Sequence, residues 1–258
     1  MIYGFIFLII SGINGNINYI SINRPEVITE NLKLMPFLRD NLHLTSVKNG
    51  CNEGACGTCT VIIDGRAMKA CVQKTANLDG KTVITCEGLS DREKDVYSYA
   101  FAKVGAVQCG FCIPGMVMCA KALIDKNPNP TKADVKLAIK NNICRCTGYV
   151  KIEEAILLAA DIFRNNTEIK ADCSNGSIGE NIIRIDALEK AIGTAKYADD
   201  YYMENMLYGS ALRSEYPRAK VLSVDVSEAL ALDGVIAVMT AEDLPGAKKV
   251  GHIKKDWD

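Results

Sequence analysis

The chain has 258 residues and a mass of 28.1 kDa, with 48% hydrophobic and 24% charged residues, enough for two or three domains with cores of their own. Its net charge of −1 gives no global field that would favour nucleic acid or an anionic membrane, and neither is expected as a partner. Eleven cysteines against two histidines, His43 and His252, direct any metal chemistry towards thiolate and leave a Rieske centre, which needs two imidazoles on one iron, without support.

The first thirteen residues, MIYGFIFLIISGI, are apolar, but no basic residue precedes Arg24, no small-residue cleavage site follows, and the run is too short to span a bilayer. A twin-arginine motif is also missing. An N-terminal strand or start-site extension is expected there, in a protein working in the cytoplasm. Residues 16–87 then read as β structure with one helix. Residues 18–22 alternate weakly, Asn23-Arg24-Pro25 makes a turn, and Val27-Ile28 starts a second strand. Leu32, Leu34, Phe37, Leu38 and Leu42 lie close to helical period, with Pro36 in the first turn, where its missing N–H is harmless.

Four cysteines follow in CNEGACGTCTVIIDGRAMKAC. Cys51, Cys56, Cys59 and Cys71 read C-x4-C-x2-C-x11-C, the plant-type [2Fe–2S] ligand pattern. Two irons need two thiolates each, so three ligands would sit on one tight loop and the fourth would come from the far strand of a hairpin. Gly50, Gly54 and Gly57 suit a loop that wraps an anionic group and needs positive φ or close backbone approach. The hairpin is signalled by residues 60–63 and 67–72 around Asp64-Gly65. Residues 83–86 close a mixed sheet of four or five strands over one helix, a β-grasp arrangement over residues 16–89.

At Ser90 the pattern changes to helix. Ser90-Asp-Arg-Glu93 is a capping box, and Val96, Tyr97, Ala100, Phe101 and Val104 form an apolar stripe that Gly105 ends. Pro114 is expected at the first position of a second helix running to Lys126, Thr131-Lys-Ala-Asp134 caps a third, and Ile152, Ala155, Ile156, Leu158, Ala159 and Ile162 mark a fourth ending near Asn165. Residues 90–165 therefore predict a four-helix domain. A second cysteine set, Cys109, Cys112, Cys144 and Cys146 in QCGFC and NICRC, falls at helix starts, where unpaired N–H groups and the positive end of the macrodipole suit a negatively charged cluster. For this set a structural zinc is a competing expectation; a disulfide framework is less suited to a chain of this length. Cys86, Cys119 and Cys173 are left over and read as free thiols.

Residues 166–180, NTEIKADCSNGSIGE, lack periodicity and read as a linker. Residues 181–258 alternate strand and helix signals, with strands expected over 208–213, 221–226 and 235–240 and a short helix over 227–232. A partial α/β domain is the expectation, making the whole chain α+β.

C-x4-C-x2-C-x11-C, QCGFCIPGM and NICRCTGYVKI, in that order, resemble the iron–sulfur portion of the molybdenum hydroxylases, the xanthine dehydrogenase and aldehyde oxidoreductase family, over about residues 17–165. The tail, with RIDALEKAIGTAKYADD and GVIAVMTAEDLPG, is similar to the opening of that family's molybdopterin domain. The resemblance implies two [2Fe–2S] clusters and a molybdopterin-binding domain or subunit as partner. Substrate hydroxylation there leaves two electrons that depart singly, through a bundle cluster on Cys109, Cys112, Cys144 and Cys146, then through a β-grasp cluster on Cys51, Cys56, Cys59 and Cys71. It also places Gln108 and Cys146 against the pterin. With a linker of about 15 residues there is no room for an inserted flavin domain, so flavin is either absent or on a separate subunit. Most of the molybdopterin domain lies outside the chain, so the chain by itself is not expected to be catalytically complete. A freestanding ferredoxin-like carrier and a zinc-stabilised binding module are the other expectations.

Overall fold

The computed structural model describes residues 20–21, 32–169, 177–180, 182–217, 219–243, 245–247 and 254. The expected strand at Val27-Ile28, the apolar N-terminal run, Cys173 and His252 lie outside them. The chain divides into two compact units, Met1–Met203 and Glu204–Asp258.

The first unit opens with a four-stranded sheet in the order β1-β4-β2-β3: β1 Ile20–Ser21, β2 Thr60–Ile63, β3 Arg66–Lys69 and β4 Thr82–Ile84. Every pair in it is antiparallel, so among the described residues the sheet is not the mixed one expected. The β2–β3 turn is the predicted Asp-Gly turn, with φ of 46° at Asp64 and 74° at Gly65, the left-handed pair of a tight hairpin whose twist matches its strands. Beneath the sheet, helix α1 runs over Leu34–Pro36 and widens into a π-turn over Phe37–Asn41, where the Leu42 N–H reaches back to the Phe37 carbonyl. Leu34, Met35 and Leu38 face inward with Val61, Ile63 and Val83 to form one core.

Four helices follow. Helix α2, Asp91–Lys103, starts on the Ser90/Glu93 capping box and ends against Gly105 at φ 70°. Helix α3, Ile113–Ile124, begins one residue earlier than expected, which moves Pro114 to the second helical position, still within the turn that has no N–H to lose. Helix α4, Lys132–Ile139, carries the Thr131/Asp134 capping box, and α5, Tyr149–Asn165, ends on Asn166 in the left-handed conformation. The second core gathers Tyr97, Phe101, Met116, Val117, Ile152 and Ile156 from α2, α3 and α5. A further helix, α6 at Ala187–Ile192, places Ala187 and Ala191 in this same core, so the first unit extends past the expected linker.

In the second unit, helix α7, Ser227–Leu230, appears where a short helix was expected. The three strands expected there are a correction: no described residue of 204–247 joins a ladder. Strands need partners for their N–H and C=O groups, and these segments expose their apolar residues, Tyr208 by 84% and Leu222 by 86%.

Candidate functional site

The first cysteine loop lies between α1 and β2. Asn52, Gly54 and Gly57 adopt positive φ, and Gly50, which does not, is needed for close approach instead, because a Cβ there would lie 2.8 Å from the Cys56 Sγ. The fourth cysteine sits just beyond the far strand, on the single 3-10 turn Ala70–Val72, and not on the strand itself. The Ala70 N–H donates to the Cys59 carbonyl at 3.0 Å, which sets Cys59 and Cys71 side by side at the open end of the hairpin. Four backbone N–H groups point at sulfur: Glu53 and Cys56 donate to Cys51 at 3.4 and 3.3 Å, Gly54 to Cys71 at 3.2 Å, and Cys71 to Cys59 at 3.4 Å. These donors pull the Cys51 thiol down to about 6, the Cys56 N–H first and the Glu53 N–H next. Burial pushes Cys59 up to about 12. Lys69 braces the loop from outside by donating to the Gly54 and Ala55 carbonyls at 2.5 and 3.3 Å.

The second set comes together from two loops. Cys112 is the residue that caps the start of α3, and Cys144 and Cys146 lie just ahead of α5, as expected. Cys109 and Cys146 are in side-chain contact, as are Cys112 and Cys144. The nearby Cys109 backbone, then its side chain, hold the Cys146 thiol below its ordinary value, whereas burial pushes Cys112 up. Each quartet thus divides into a buried pair, Cys59 with Cys71 and Cys112 with Cys144, and a more exposed pair, Cys51 with Cys56 and Cys109 with Cys146. Among the described residues no three His, Cys, Asp or Glu side chains converge on a point suited to one ion. The sulfurs pair two by two, a grouping that suits a two-iron core, and in the first set backbone N–H donors are directed at them.

The two loops touch. The Ile143 N–H donates to the Cys56 carbonyl at 2.8 Å, so one peptide unit separates that hydrogen bond from Cys144. Asn142, buried, donates through Nδ2 to the Gly57 carbonyl at 2.9 Å and accepts from the Cys119 thiol at 3.2 Å. Helix α3 approaches so closely at Gly115 that a Cβ there would lie 2.6 Å from the Thr58 carbonyl oxygen. Tyr149 accepts the Cys144 N–H on its hydroxyl at 2.8 Å. Gln108 is exposed, and its Nε2 donates to the Cys146 carbonyl at 3.3 Å. Cys86 and Cys119 are buried free thiols as expected, and His43 is exposed beside Tyr202 with its ring centroid 6.2 Å away.

Asn142, Tyr149 and Tyr197 were not legible as site residues. Only Tyr149 carried a signal, its place three residues after Cys146. Tyr197 donates its hydroxyl to the Cys109 carbonyl at 2.7 Å; burial, then the nearby Cys109 and Cys112, push that hydroxyl up to about 12, so it stays protonated and able to donate. A buried ionic group lies beside it: Asp200 accepts from Lys48 at 2.6 Å and from Arg39 at 2.9 Å, all three side chains nearly inaccessible.

Among the described residues no helix is long and apolar enough to cross a membrane. Residues 26–96 match the 2Fe-2S iron-sulfur cluster binding domain family, residues 85–157 the [2Fe-2S] binding domain family, and residues 192–257 the a/b hammerhead domain of aldehyde oxidase and xanthine dehydrogenase. The chain is 46% identical over 138 residues to the nicotinate dehydrogenase small FeS subunit of Eubacterium barkeri, covering 53% of itself and 88% of that protein. It is 34% identical over 229 residues to the aldehyde oxidoreductase of Megalodesulfovibrio gigas, covering 84% of itself but only 25% of that enzyme. The crystal structure of the aldehyde oxidoreductase from Desulfovibrio desulfuricans superposes with a TM-score of 0.75 at 36% identity, over 86% of this chain and 26% of that one. The chain belongs to the molybdenum hydroxylase family of xanthine dehydrogenase and aldehyde oxidoreductase, of which it carries the [2Fe–2S] electron-transfer module.

Proposed function

We propose that this module passes single electrons between a molybdopterin site and an outside acceptor, with Cys51, Cys56, Cys59 and Cys71 holding one [2Fe–2S] cluster and Cys109, Cys112, Cys144 and Cys146 the other. The observation that carries this is the pairing of thiols within both quartets, with backbone N–H donors on the sulfurs of the first. When bound, such clusters each store one electron at a potential tuned by hydrogen bonds to sulfur and by exposure. The protein's part is to supply those donors, to bury one cysteine pair of each set, and to hold the two loops in contact through Ile143 and Cys56. The zinc-stabilised module is less well supported, because a single tetrahedral ion needs four donors at one point.

The domain assignment goes with this reading: a β-grasp ferredoxin-like domain over 16–89, a four-helix cluster-binding domain over 90–165, a linker over 166–180, and the opening of a molybdopterin-binding domain from 181. Gln108, exposed, and Cys146, half-buried beside it at the second loop, are the residues that would face the pterin, with Gln108 already held by its bond to the Cys146 carbonyl. The partner is a molybdopterin-binding domain or subunit, joined with no inserted flavin domain, and the setting is the cytoplasm. The relatives named for nicotinate and aldehyde point to an N-heterocycle or an aldehyde as substrate class.

Anaerobically purified chain should contain about four irons and four acid-labile sulfides. Cys56→Ser should remove one cluster signal and leave the other. Colourless protein holding zinc, or both signals lost together in that variant, would overturn the assignment.

A further inference from the structure

Residues 184–200 lie beyond the last expected ligand, yet they close over the loop that carries Cys109. Two successive carbonyls of that loop are held from the same segment, and the next residue is closely approached by it. Arg184 donates to the Gln108 carbonyl at 2.6 Å, and Tyr197 donates its hydroxyl to the Cys109 carbonyl at 2.7 Å. At Gly110, φ 84°, a Cβ would lie 2.7 Å from the Lys190 Cβ and 2.8 Å from the Tyr197 hydroxyl, so the loop has a glycine where the segment crosses it.

The far end of the segment is anchored in the first cysteine region. The Asp200 carboxylate accepts from Lys48 at 2.6 Å, from Arg39 at 2.9 Å and from the Tyr197 N–H at 3.0 Å. Lys48, three residues ahead of Cys51, lies 4.8 Å from the Tyr197 ring centroid, and Phe111 meets the same ring edge-on at 5.2 Å. The ring is therefore set by Lys48, Asp200 and Phe111, while its hydroxyl acts on Cys109.

We propose that residues 184–200 form a strap that sets the reduction potential of the second centre, with Tyr197 as its positioning residue. This rests on the reading that Cys109, Cys112, Cys144 and Cys146 hold a [2Fe–2S] centre. Reduction adds one negative charge to that centre. A hydroxyl hydrogen directed at the carbonyl of one of its ligands favours the more negative state and fixes the position of that ligand's backbone.

The test is a redox titration followed by electron paramagnetic resonance on the full chain. The second centre is identified as the signal that survives Cys56→Ser. Tyr197→Phe keeps the ring and removes only the donor. It should retain both clusters, move the second centre to lower potential with altered g-values, and leave the first centre where it was. Unmoved midpoints in Tyr197→Phe, or an equal shift of both centres, would overturn the strap while leaving the two-cluster assignment intact. An unsubstituted chain with fewer than two clusters would overturn that assignment and the strap with it.

Discussion

Gly57→Ala probes the contact between the two cysteine loops. Gly57 has φ 69°, and a Cβ built on it would lie 2.4 Å from the Asn141 carbonyl oxygen and 3.0 Å from the Asn142 Cγ. The left-handed conformation alone costs an L-residue roughly 1–2 kcal/mol. Forcing a methyl group against backbone adds about 1–3 kcal/mol. Gly65→Ala supplies the control: its φ is 74°, but nothing lies within 4 Å of the new Cβ, so only the conformational cost applies. The difference between the two variants is then the overlap itself, about 1–3 kcal/mol, which at a urea slope of about 2 kcal/mol/M lowers the midpoint by roughly 0.5–1.5 M more for Gly57 than for Gly65. Holoprotein is unfolded in urea under identical incubation and followed by helical circular dichroism. If the chain relieves the overlap by moving residues 141–142, the Ile143 to Cys56 hydrogen bond stretches with them, and electron exchange between the centres should slow as well. Equal midpoints for the two alanine variants would refute the close approach of the loops.

Three other outcomes follow from single groups. Asp200→Asn leaves Lys48 as a buried cation without an ionised partner, although Arg39 keeps the exposed Asp199 at 3.3 Å, and should cost about 3–5 kcal/mol in a denaturant titration. Burial works against the Glu93 charge, but the Lys121 ammonium at 2.5 Å and the Ser90 N–H and hydroxyl outweigh it and hold its pKa below the ordinary value. Since the folded value is below the unfolded one, the contribution of up to about 1 kcal/mol is complete above pH 5 or so and is lost as pH falls through the folded value. The stability gap between wild type and Glu93→Gln should accordingly close on acidification, and a gap independent of pH would contradict it. In iron-free protein the Cys51 thiol, at about 6, should alkylate fastest of the first set at pH 7, with a rate that falls as pH drops through 6; mass-spectrometric mapping reads this directly.

Local chemistry made much of this protein legible before any coordinates. Ligand spacing on a tight loop, the Asp64-Gly65 turn and the capping boxes at Ser90 and Thr131 each act within a few residues, so their residue types announce the geometry. The sheet was harder to read. Among the described residues, β2, β3 and β4 are three or four residues long, too short for alternation to reveal direction, and their antiparallel order emerges only from pairing. In the second unit, strand-like sequences found no partner among the described residues, because a strand's backbone is satisfied by a neighbour and not by its own side chains.

The amino-acid order alone determined the kind of chemistry on offer: two quartets of cysteines, each with glycines or helix starts around it. Tertiary structure alone decided how the quartets are tied together. Asn142 reaches Gly57 across 85 residues, Tyr197 reaches Cys109 across 88, and Lys48 reaches Asp200 across 152. Contacts at such separations leave no periodic trace in the sequence, since they are made only when two cores have formed and bring the two loops and residues 184–200 within hydrogen-bond distance.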